Sequence, residues 1–300
     1  MKAIHVVLII MLALSAMSFS LAYKPELSPD TELFFLKSPA PQPVTLFSNK
    51  NFGGTAKALH NGVYRQAQLG IGNDALSSIK VAEGYAVVLY QNDTGSSGKT
   101  ININNSVADL NTLGFNDITS MVYIFKIAAS LYSECNFSGR SIHLPEDHGN
   151  GQVATTEFAF PNDMISSVKV APGKMLRLFS DPNLKGKSID VTSNVSCLST
   201  LNFNDMTSSW LTTEPLAVVY DNCNFTGPGK QLGKGPYRAL ENSLNNKISS
   251  VKLTGPYFMV LYENIDFGTG TKVTITESNS CLPANINNKT SSLEIKKPIE

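Results

Sequence analysis

A six-residue string recurs six times along the 300-residue chain, and this repeat constrains the fold more than any other feature. Each copy begins with Asn, has Asn or Asp second and Ser fifth. The copies are residues 73–78, 116–121, 162–167, 204–209, 245–250 and 287–292. Successive copies start 43, 46, 42, 41 and 42 residues apart. This spacing predicts six copies of one supersecondary unit, because a chance motif would not recur at a fixed period.

Each string stands between two predicted strand features. Alternating apolar residues follow it, as in 79–81, and predict a strand with one buried face. Each repeat opens with a predicted hairpin, such as Phe47, Phe52 and Gly54, in which the aromatic rings pack across the fold-over and Gly supplies a positive φ. The second repeat, 90–98, lacks the second aromatic residue and is looser. The pattern predicts an all-β chain.

Charge and composition restrict the function classes. The chain has 24 basic and 24 acidic residues, so its formal net charge is zero, which argues against a nucleic-acid-binding protein. Apolar residues make up 42%, enough for hydrophobic cores. No esterase-type nucleophile motif occurs, and we predict that the protein is not an enzyme. His143 and His148, with Glu146 and Asp147 nearby, could hold a surface metal loosely, but we interpret them as part of a solvated loop.

The N-terminal segment predicts export. Residues 1–22 combine a basic start, an apolar run and small residues before a cleavage point after Ala22, which is the pattern of a secretory signal peptide. Residues 23–42 are Pro-rich and predict an extended linker. No later apolar stretch reaches the roughly 18 residues that a spanning helix needs, so no membrane span is predicted. We expect a secreted, extracellular protein.

Four cysteines occupy matching positions in paired repeats. Cys135 and Cys223 follow the first hairpin aromatic by three residues, whereas Cys197 and Cys281 precede a string by seven and six. This symmetry predicts Cys135–Cys197 and Cys223–Cys281, which suits an oxidising compartment. It favours repeats that act in twos over a six-bladed propeller. The predicted domains are 43–127, 128–213 and 214–297, with short joints near 127–129 and 212–215 that allow some hinge freedom.

The hairpin and the string together resemble the Greek-key motif of the βγ-crystallins. The closer resemblance is to their calcium-binding microbial type, such as the spherulins and protein S, and it covers residues 43–297. It implies three tandem βγ-crystallin Greek-key β-sandwich domains, each made of two repeats and binding up to two calcium ions. Each ion is then clamped between one string and the opening hairpin of its partner, with the third-residue carbonyl as a backbone ligand.

The resemblance also implies which side chains bind calcium. They are the second and fifth residues of each string: Asp74, Ser77, Asp117, Ser120, Asp163, Ser166, Asp205, Ser208, Asn246, Ser249, Asn288 and Ser291. Calcium prefers oxygen ligands of these kinds. The third domain has Asn where the others have Asp, so it should bind most weakly. The alternative is that such strings only form side-chain-to-backbone turns, without any metal.

Sequons for N-glycosylation are permissive features of an exported chain. The expected acceptors are Asn92, Asn104, Asn136, Asn194 and Asn224, and a glycan on a sixth sequon, at Asn288, would block a calcium site. Two functions fit. The first is a structural or protective role in an extracellular matrix, coat or stress response, with calcium and matrix, coat or cell-surface components as partners. The second is an extracellular binding module (adhesin, lectin-like protein or inhibitor) that uses the loops of the sandwich.

Overall fold

The computed structural model describes residues 42–95, 98–146, 151–152, 160 and 162–297. The predicted signal peptide and all but the last residue of the predicted linker lie outside this part of the chain. The described residues form β-strands and short 3₁₀ helices without an α-helix, so the prediction of an all-β fold is confirmed. Among these residues, no helix has the length and apolar character needed to cross a bilayer.

Twenty strands can be assigned in the described residues. They are β1 Val44–Asn49, β2 Gly53–Leu59, β3 Gly62–Arg65, β4 Ser78–Val81, β5 Tyr85–Tyr90, β6 Thr100–Ile103, β7 Met121–Glu134, β8 Ser138–Pro145, β9 Gly151–Gln152, β10 Ser167–Val170, β11 Met175–Asp181, β12 Lys185–Val191, β13 Ser209–Thr213, β14 Pro215–Asn222, β15 Thr226–Gly233, β16 Gly235–Tyr237, β17 Ser250–Leu253, β18 Phe258–Tyr262, β19 Lys272–Ile275 and β20 Ser292–Lys296. The 3₁₀ helices are Lys50–Phe52, Gln66–Gln68, Leu110–Leu113, Cys135–Phe137, Leu198–Leu201, Cys223–Phe225 and Ile265–Phe267.

The strands pair antiparallel in five sheets. Their orders are β2-β1-β4, β10-β7-β5-β6 with β3 and β8 also on β7, β12-β11-β13-β9, β15-β14-β17, and β16-β20-β18-β19. The third strand of an odd repeat leaves its own sheet and joins that of the next repeat: β3 pairs with β7, β9 with β13, and β16 with β20. In the opposite direction, a residue of the even repeat pairs with a strand of the odd repeat, as Val107 does with Ile79 of β4. This Greek-key exchange joins repeats one and two, three and four, and five and six.

We call repeats one and two lobe I, repeats three and four lobe II, and repeats five and six lobe III. Each lobe surrounds one large hydrophobic cluster, which takes the number of its lobe. Core I is formed by residues within 44–124, core II by residues within 129–210, and core III by residues within 216–295. Trp210, the only tryptophan, is fully buried in core II. The apolar faces of the alternating strands supply these cores, which is the usual arrangement of a β-sandwich.

The junction between lobes I and II lies inside a single strand. The first half of β7 pairs with β3 and β5, and its second half pairs with β8 and β10. Ala128 and Ala129, at the predicted joint, are each 1% exposed. The strand pairing continues through this point because Lys126 of β7 pairs with Tyr85 of β5 and the next residue, Ile127, pairs with Pro145 of β8. The structure therefore has a shared strand where the sequence predicts a joint with hinge freedom.

Each opening hairpin folds over at residues with left-handed backbone. In the first repeat, Asn51 has φ 56° and Phe52 has φ 61°, and the Phe47 and Phe52 ring centroids are 5.7 Å apart. Gly54 has φ 75°, and a Cβ on it would lie 2.3 Å from Ser48 Oγ. A side chain at position 54 is therefore excluded by both its backbone angle and its neighbour.

Candidate metal sites between paired strings

The strings are held against the hairpins of their own repeats by the fifth-position serines. In all six repeats the backbone N–H of this serine donates to the carbonyl of the first hairpin aromatic, at 2.8–3.0 Å. The donor–acceptor pairs are Ser77–Phe47, Ser120–Tyr90, Ser166–Tyr132, Ser208–Phe179, Ser249–Tyr220 and Ser291–Tyr262. Each serine side chain is therefore placed beside the hairpin.

The sixth-position serines fasten the hairpin tips, a role that the repeat pattern alone does not predict. Ser78 Oγ donates to the Asn49 carbonyl at 2.6 Å and accepts from the Phe52 N–H at 3.0 Å. Ser167, Ser209, Ser250 and Ser292 make the same two bonds. The second repeat has Met121 at this position, and its hairpin is also the one without a second aromatic. The sequence signal for this contact is the serine at the sixth position of five of the six strings.

The second residue of every string has a left-handed backbone. The φ angles are 49° at Asp74, 52° at Asp117, 53° at Asp163, 53° at Asp205, 56° at Asn246 and 54° at Asn288. Asp and Asn tolerate this conformation better than other residues with a side chain. In this conformation one oxygen of the side chain reaches the partner string, as Asp117 Oδ1 and Asp74 Oδ1 do.

Serine and carboxylate oxygens meet across the two strings of a pair, not within one string. The Ser Oγ to Asp or Asn Oδ1 distances are 2.9 Å for Ser77–Asp117, 3.3 Å for Ser120–Asp74, 2.9 Å for Ser166–Asp205, 3.2 Å for Ser208–Asp163, 2.9 Å for Ser249–Asn288 and 3.4 Å for Ser291–Asn246. The structure thus brings all twelve predicted side chains together as six reciprocal pairs, two in each lobe.

The best-defined cluster contains three oxygens around Ser77. Its hydroxyl lies 2.9 Å from Asp117 Oδ1 and 3.0 Å from the carbonyl oxygen of Ser48, in the opening hairpin. The other carboxylate oxygen of Asp117 accepts a hydrogen bond from Asn116 Nδ2 at 2.6 Å, which fixes the carboxylate plane. Asp74, Asp163 and Asp205 are held in the same way by the preceding Asn. An oxygen-only set with one carboxylate fits Ca²⁺ and suits neither zinc nor copper.

Lobe III has the same geometry with a different charge. Asn246 and Asn288 replace the aspartates, and the third string residues are Lys247 and Lys289. The corresponding residues in lobes I and II are uncharged: Ala75, Ile118, Met164 and Met206. Each pair in lobe III therefore lacks the carboxylate and gains an adjacent cation, which disfavours a divalent metal.

Two disulfides lie beside the strings of lobes II and III. They join Cys135 to Cys197 and Cys223 to Cys281, and each connects a hairpin tip to the loop that precedes the partner string. In lobe I the matching positions are Lys50 and Asp109, whose Nζ and Oδ2 atoms are 3.0 Å apart. The hydrogen bond from Lys50 lowers the pKa of Asp109, and that from the Asn111 N–H acts in the same direction. An ion pair stands where the other lobes have a covalent bond.

The sequon side chains are mostly on the surface. Asn104, Asn136, Asn194, Asn224 and Asn288 are exposed, whereas Asn92 is half-buried. Asn288 is also the residue that meets Ser249, so its amide belongs to a string pair.

The chain resembles proteins of known family. The Beta/Gamma crystallin family model matches residues 175–254. Development-specific protein S of Myxococcus xanthus is 34% identical over 170 residues, which cover 54% of this chain and 94% of that protein. A beta/gamma-crystallin of Ciona intestinalis is 34% identical over 82 residues, 27% of this chain and 96% of that protein. The chain belongs to the βγ-crystallin family.

Two solved structures are similar in sequence to parts of this chain. The solution structure of protein S complexed with calcium is 31% identical, covers 57% of this chain and 99% of that chain, and has a TM-score of 0.29. A βγ-crystallin domain from Flavobacterium johnsoniae is 37% identical, covers 27% of this chain and 94% of that chain, and has a TM-score of 0.26.

Proposed function

We propose that this βγ-crystallin is a secreted calcium-binding protein with a structural or protective role in an extracellular matrix, coat or stress response. Its three lobes are three domains, 43–127, 128–213 and 214–297. The observation that carries the proposal is the crossed pairing of serine and aspartate oxygens between the two strings of lobes I and II. An ion held there contacts both Greek keys of a domain, so binding it adds to the stability of the fold.

Four ligand sets fit calcium. In lobe I they are Asp117 with Ser77 and Asp74 with Ser120; in lobe II they are Asp205 with Ser166 and Asp163 with Ser208. The Ser48 carbonyl supplies a backbone oxygen to the first set. The bound ion supplies positive charge that offsets one carboxylate per site. With so few carboxylates, dissociation constants on the order of 10⁻⁵–10⁻³ M are expected.

The relatives support the same assignment. Protein S is 34% identical to this chain, and one of its solved structures is a complex with calcium. Export is supported by the predicted signal peptide and by the two disulfides, which persist in oxidising compartments. The proposal includes no catalytic residue.

Differential scanning calorimetry of the mature, oxidised protein tests the proposal. Calcium should raise the melting temperature of wild-type lobes I and II relative to a sample with chelator. Asp74→Asn with Asp117→Asn should remove the shift of lobe I only, and Glu83→Gln, at an exposed turn residue of lobe I, should keep it. The proposal fails if calcium moves no transition of the wild-type protein.

A binding-module role is the second candidate, and a cavity between lobes II and III favours it. Cell-aggregation and glycan-binding assays separate the two roles. Selective binding that a free sugar competes away would contradict a purely structural role.

A further inference from the structure

A cavity of about 440 Å³ lies between lobes II and III. Lobe II contributes parts of strands β11 and β12, and lobe III contributes the segment 236–244. The lining is about as polar as it is apolar, and its apolar part includes Phe179, Leu184, Leu240 and Leu244, which are 2–9% exposed. Leu201 lies at the same cavity and is 41% exposed. Concave, mainly apolar sites between domains are common places for small ligands.

A fixed guanidinium group anchors one side of the cavity. Arg177 is 3% exposed, and its Nη1 donates to the Pro236 carbonyl of lobe III at 2.9 Å. Its Cζ lies 3.3 Å from the ring centroid of Tyr237, and its Nε is 3.3 Å from Asp190 Oδ1. These contacts hold both lobes in register around the cavity, so the cavity is a built feature rather than a gap between surface loops.

The charge of the lining is unbalanced. Its basic side chains are Arg177, Lys187, Lys230 and Arg238, and its acidic ones are Asp190 and Glu241. Arg177 pairs with Asp190, and Lys230 with Glu241. Of the remaining two, Lys187 contacts the Asn202 carbonyl at 3.2 Å, and Arg238 is 3.8 Å from Asp266. Among the described residues of the lining, Lys187 is therefore the cation without a carboxylate partner, and counting Asp266 beside Arg238 the site carries a net positive charge of one.

We propose that this cavity binds a small organic anion with an apolar body, an aryl carboxylate or sulfonate being the simplest case. The ring packs on the leucines and Phe179, the anionic group lies near Lys187, and Arg238, whose guanidinium is also paired with Asp266, adds positive charge to the same lining. This inference goes beyond calcium binding, because the cavity shares no residue with the string pairs.

Lobe I shows what the cavity requires. Its equivalent surface is an open groove whose described lining residues are 98–101 and 113–115, and Lys99 is the cation among them. Val88 and Asn102 pair across β5 and β6 where Arg177 and Asp190 pair across β11 and β12. The groove of lobe I has Val88 where lobe II has Arg177, and none of its described lining residues comes from another lobe as residues 236–244 do in the cavity. It is therefore not enclosed.

Fluorescence titration with 8-anilino-1-naphthalenesulfonate tests the proposal on the mature, oxidised protein. Binding should quench Trp210, because this only tryptophan pairs across the sheet with Leu178, next to Arg177. The uncharged analogue N-phenyl-1-naphthylamine should bind at least about fivefold more weakly, because it lacks the anionic group. Near-ultraviolet circular dichroism of each variant verifies that the fold is intact.

Matched variants locate the site. Lys187→Gln with Arg238→Gln should weaken sulfonate binding about fivefold, whereas Lys185→Gln, an exposed lysine on the same strand, should not. Leu201→Glu should weaken it roughly tenfold, whereas Leu113→Glu, equally exposed at the matching position of lobe I, should not. The proposal is overturned if the folded wild-type protein does not bind the sulfonate, if the neutral analogue binds as tightly, or if these variants behave like their controls.

Discussion

Ser77 and Asp117 belong to different strings, 40 residues apart, yet the serine hydroxyl lies 2.9 Å from the aspartate carboxylate. Ser120 of the second string meets Asp74 of the first at 3.3 Å. In each lobe, the serine of one string therefore contacts the Asp or Asn of the other string, and each of the two contacts connects the two repeats of the lobe. A calcium ion at either pair would connect two Greek keys that exchange a strand.

The crossed arrangement predicts which substitutions interact in their effect on calcium affinity. Asp117→Asn and Ser77→Ala change the same proposed calcium site, so the affinity lost by the double variant should differ from the sum of the two single losses by about 0.5 kcal/mol or more. Asp117→Asn and Ser120→Ala affect different sites, and their combined loss should be additive. Calorimetric calcium titration of the single and double variants measures both cycles. Coupling of Asp117 with Ser120 instead of Ser77 would contradict the crossed arrangement.

Lobe III should acquire calcium-dependent stability when its charges are changed to those of lobe I. The variant Asn246→Asp, Lys247→Ala, Asn288→Asp, Lys289→Ile copies the residues of the first two strings. It restores two carboxylates and removes two adjacent cations while leaving Ser249 and Ser291 in place. We expect a calcium-dependent rise in the melting temperature of lobe III that the wild-type lobe lacks. An equal calcium shift in both proteins would show that these charges do not set affinity.

Lobe I should become less dependent on calcium when its ion pair is replaced by a disulfide. The Asn51 N–H bonds to the Ala108 carbonyl at 2.7 Å, and the matching bonds beside the native disulfides, at Asn136 and Asn224, are 2.6 Å. The backbones are thus equally close, so Lys50→Cys with Asp109→Cys should form a bond. The closed loop should stabilise lobe I by at most about 4 kcal/mol. The melting temperature of lobe I in chelator, compared under oxidising and reducing conditions, measures this stabilisation. The variant Lys50→Ser with Asp109→Ser, which removes the ion pair without forming a disulfide, is the matched control.

The sequence predicts the local structure of each repeat well, because strand alternation, hairpin glycines and the strings are local signals. It does not reveal which oxygens meet, since the crossed pairs depend on how two repeats pack together through the exchanged strands β3, β9 and β16. The ion pair of Lys50 and Asp109 becomes visible only when the repeats are superposed. The interpretation of His143 as part of a solvated loop is wrong, because His143 lies on β8 and is 3% exposed. His148 lies outside the described residues. Sequence periodicity predicts which face of a regular strand is buried, whereas the length of β7, which is shared by two lobes, depends on its partner strands.

His143 should make lobe II sensitive to acid. Burial lowers its pKa from 6.5 to about 4, and its Nδ1 lies 2.8 Å from Ser130 Oγ. The unfolded chain takes up a proton below pH 6.5 that the folded protein does not, so the free energy of unfolding falls as pH drops from 6.5 to 4, by at most about 3 kcal/mol. His143→Gln should lose this part of the pH dependence, and His60→Gln should keep it. Urea unfolding at pH 7 and pH 4.5, followed by Trp210 fluorescence, compares them; identical profiles for His143→Gln and wild type would exclude this role.

Replacing Arg177 should lower the free energy of unfolding much more when Asp190 is present than when Asp190 has been replaced as well. Burial raises the pKa of Asp190, and the nearby Arg177 acts against that rise. Arg177→Val leaves a buried carboxyl without its partner and should lower the free energy of unfolding by about 3–5 kcal/mol. The double variant Arg177→Val, Asp190→Asn copies the Val88 and Asn102 pair of lobe I and should recover most of that loss. Urea unfolding followed through Trp210 gives the three values. If the double variant is no more stable than Arg177→Val alone, the cost lies in the lost contacts with Pro236 and Tyr237 of lobe III, and not in the unpaired carboxyl.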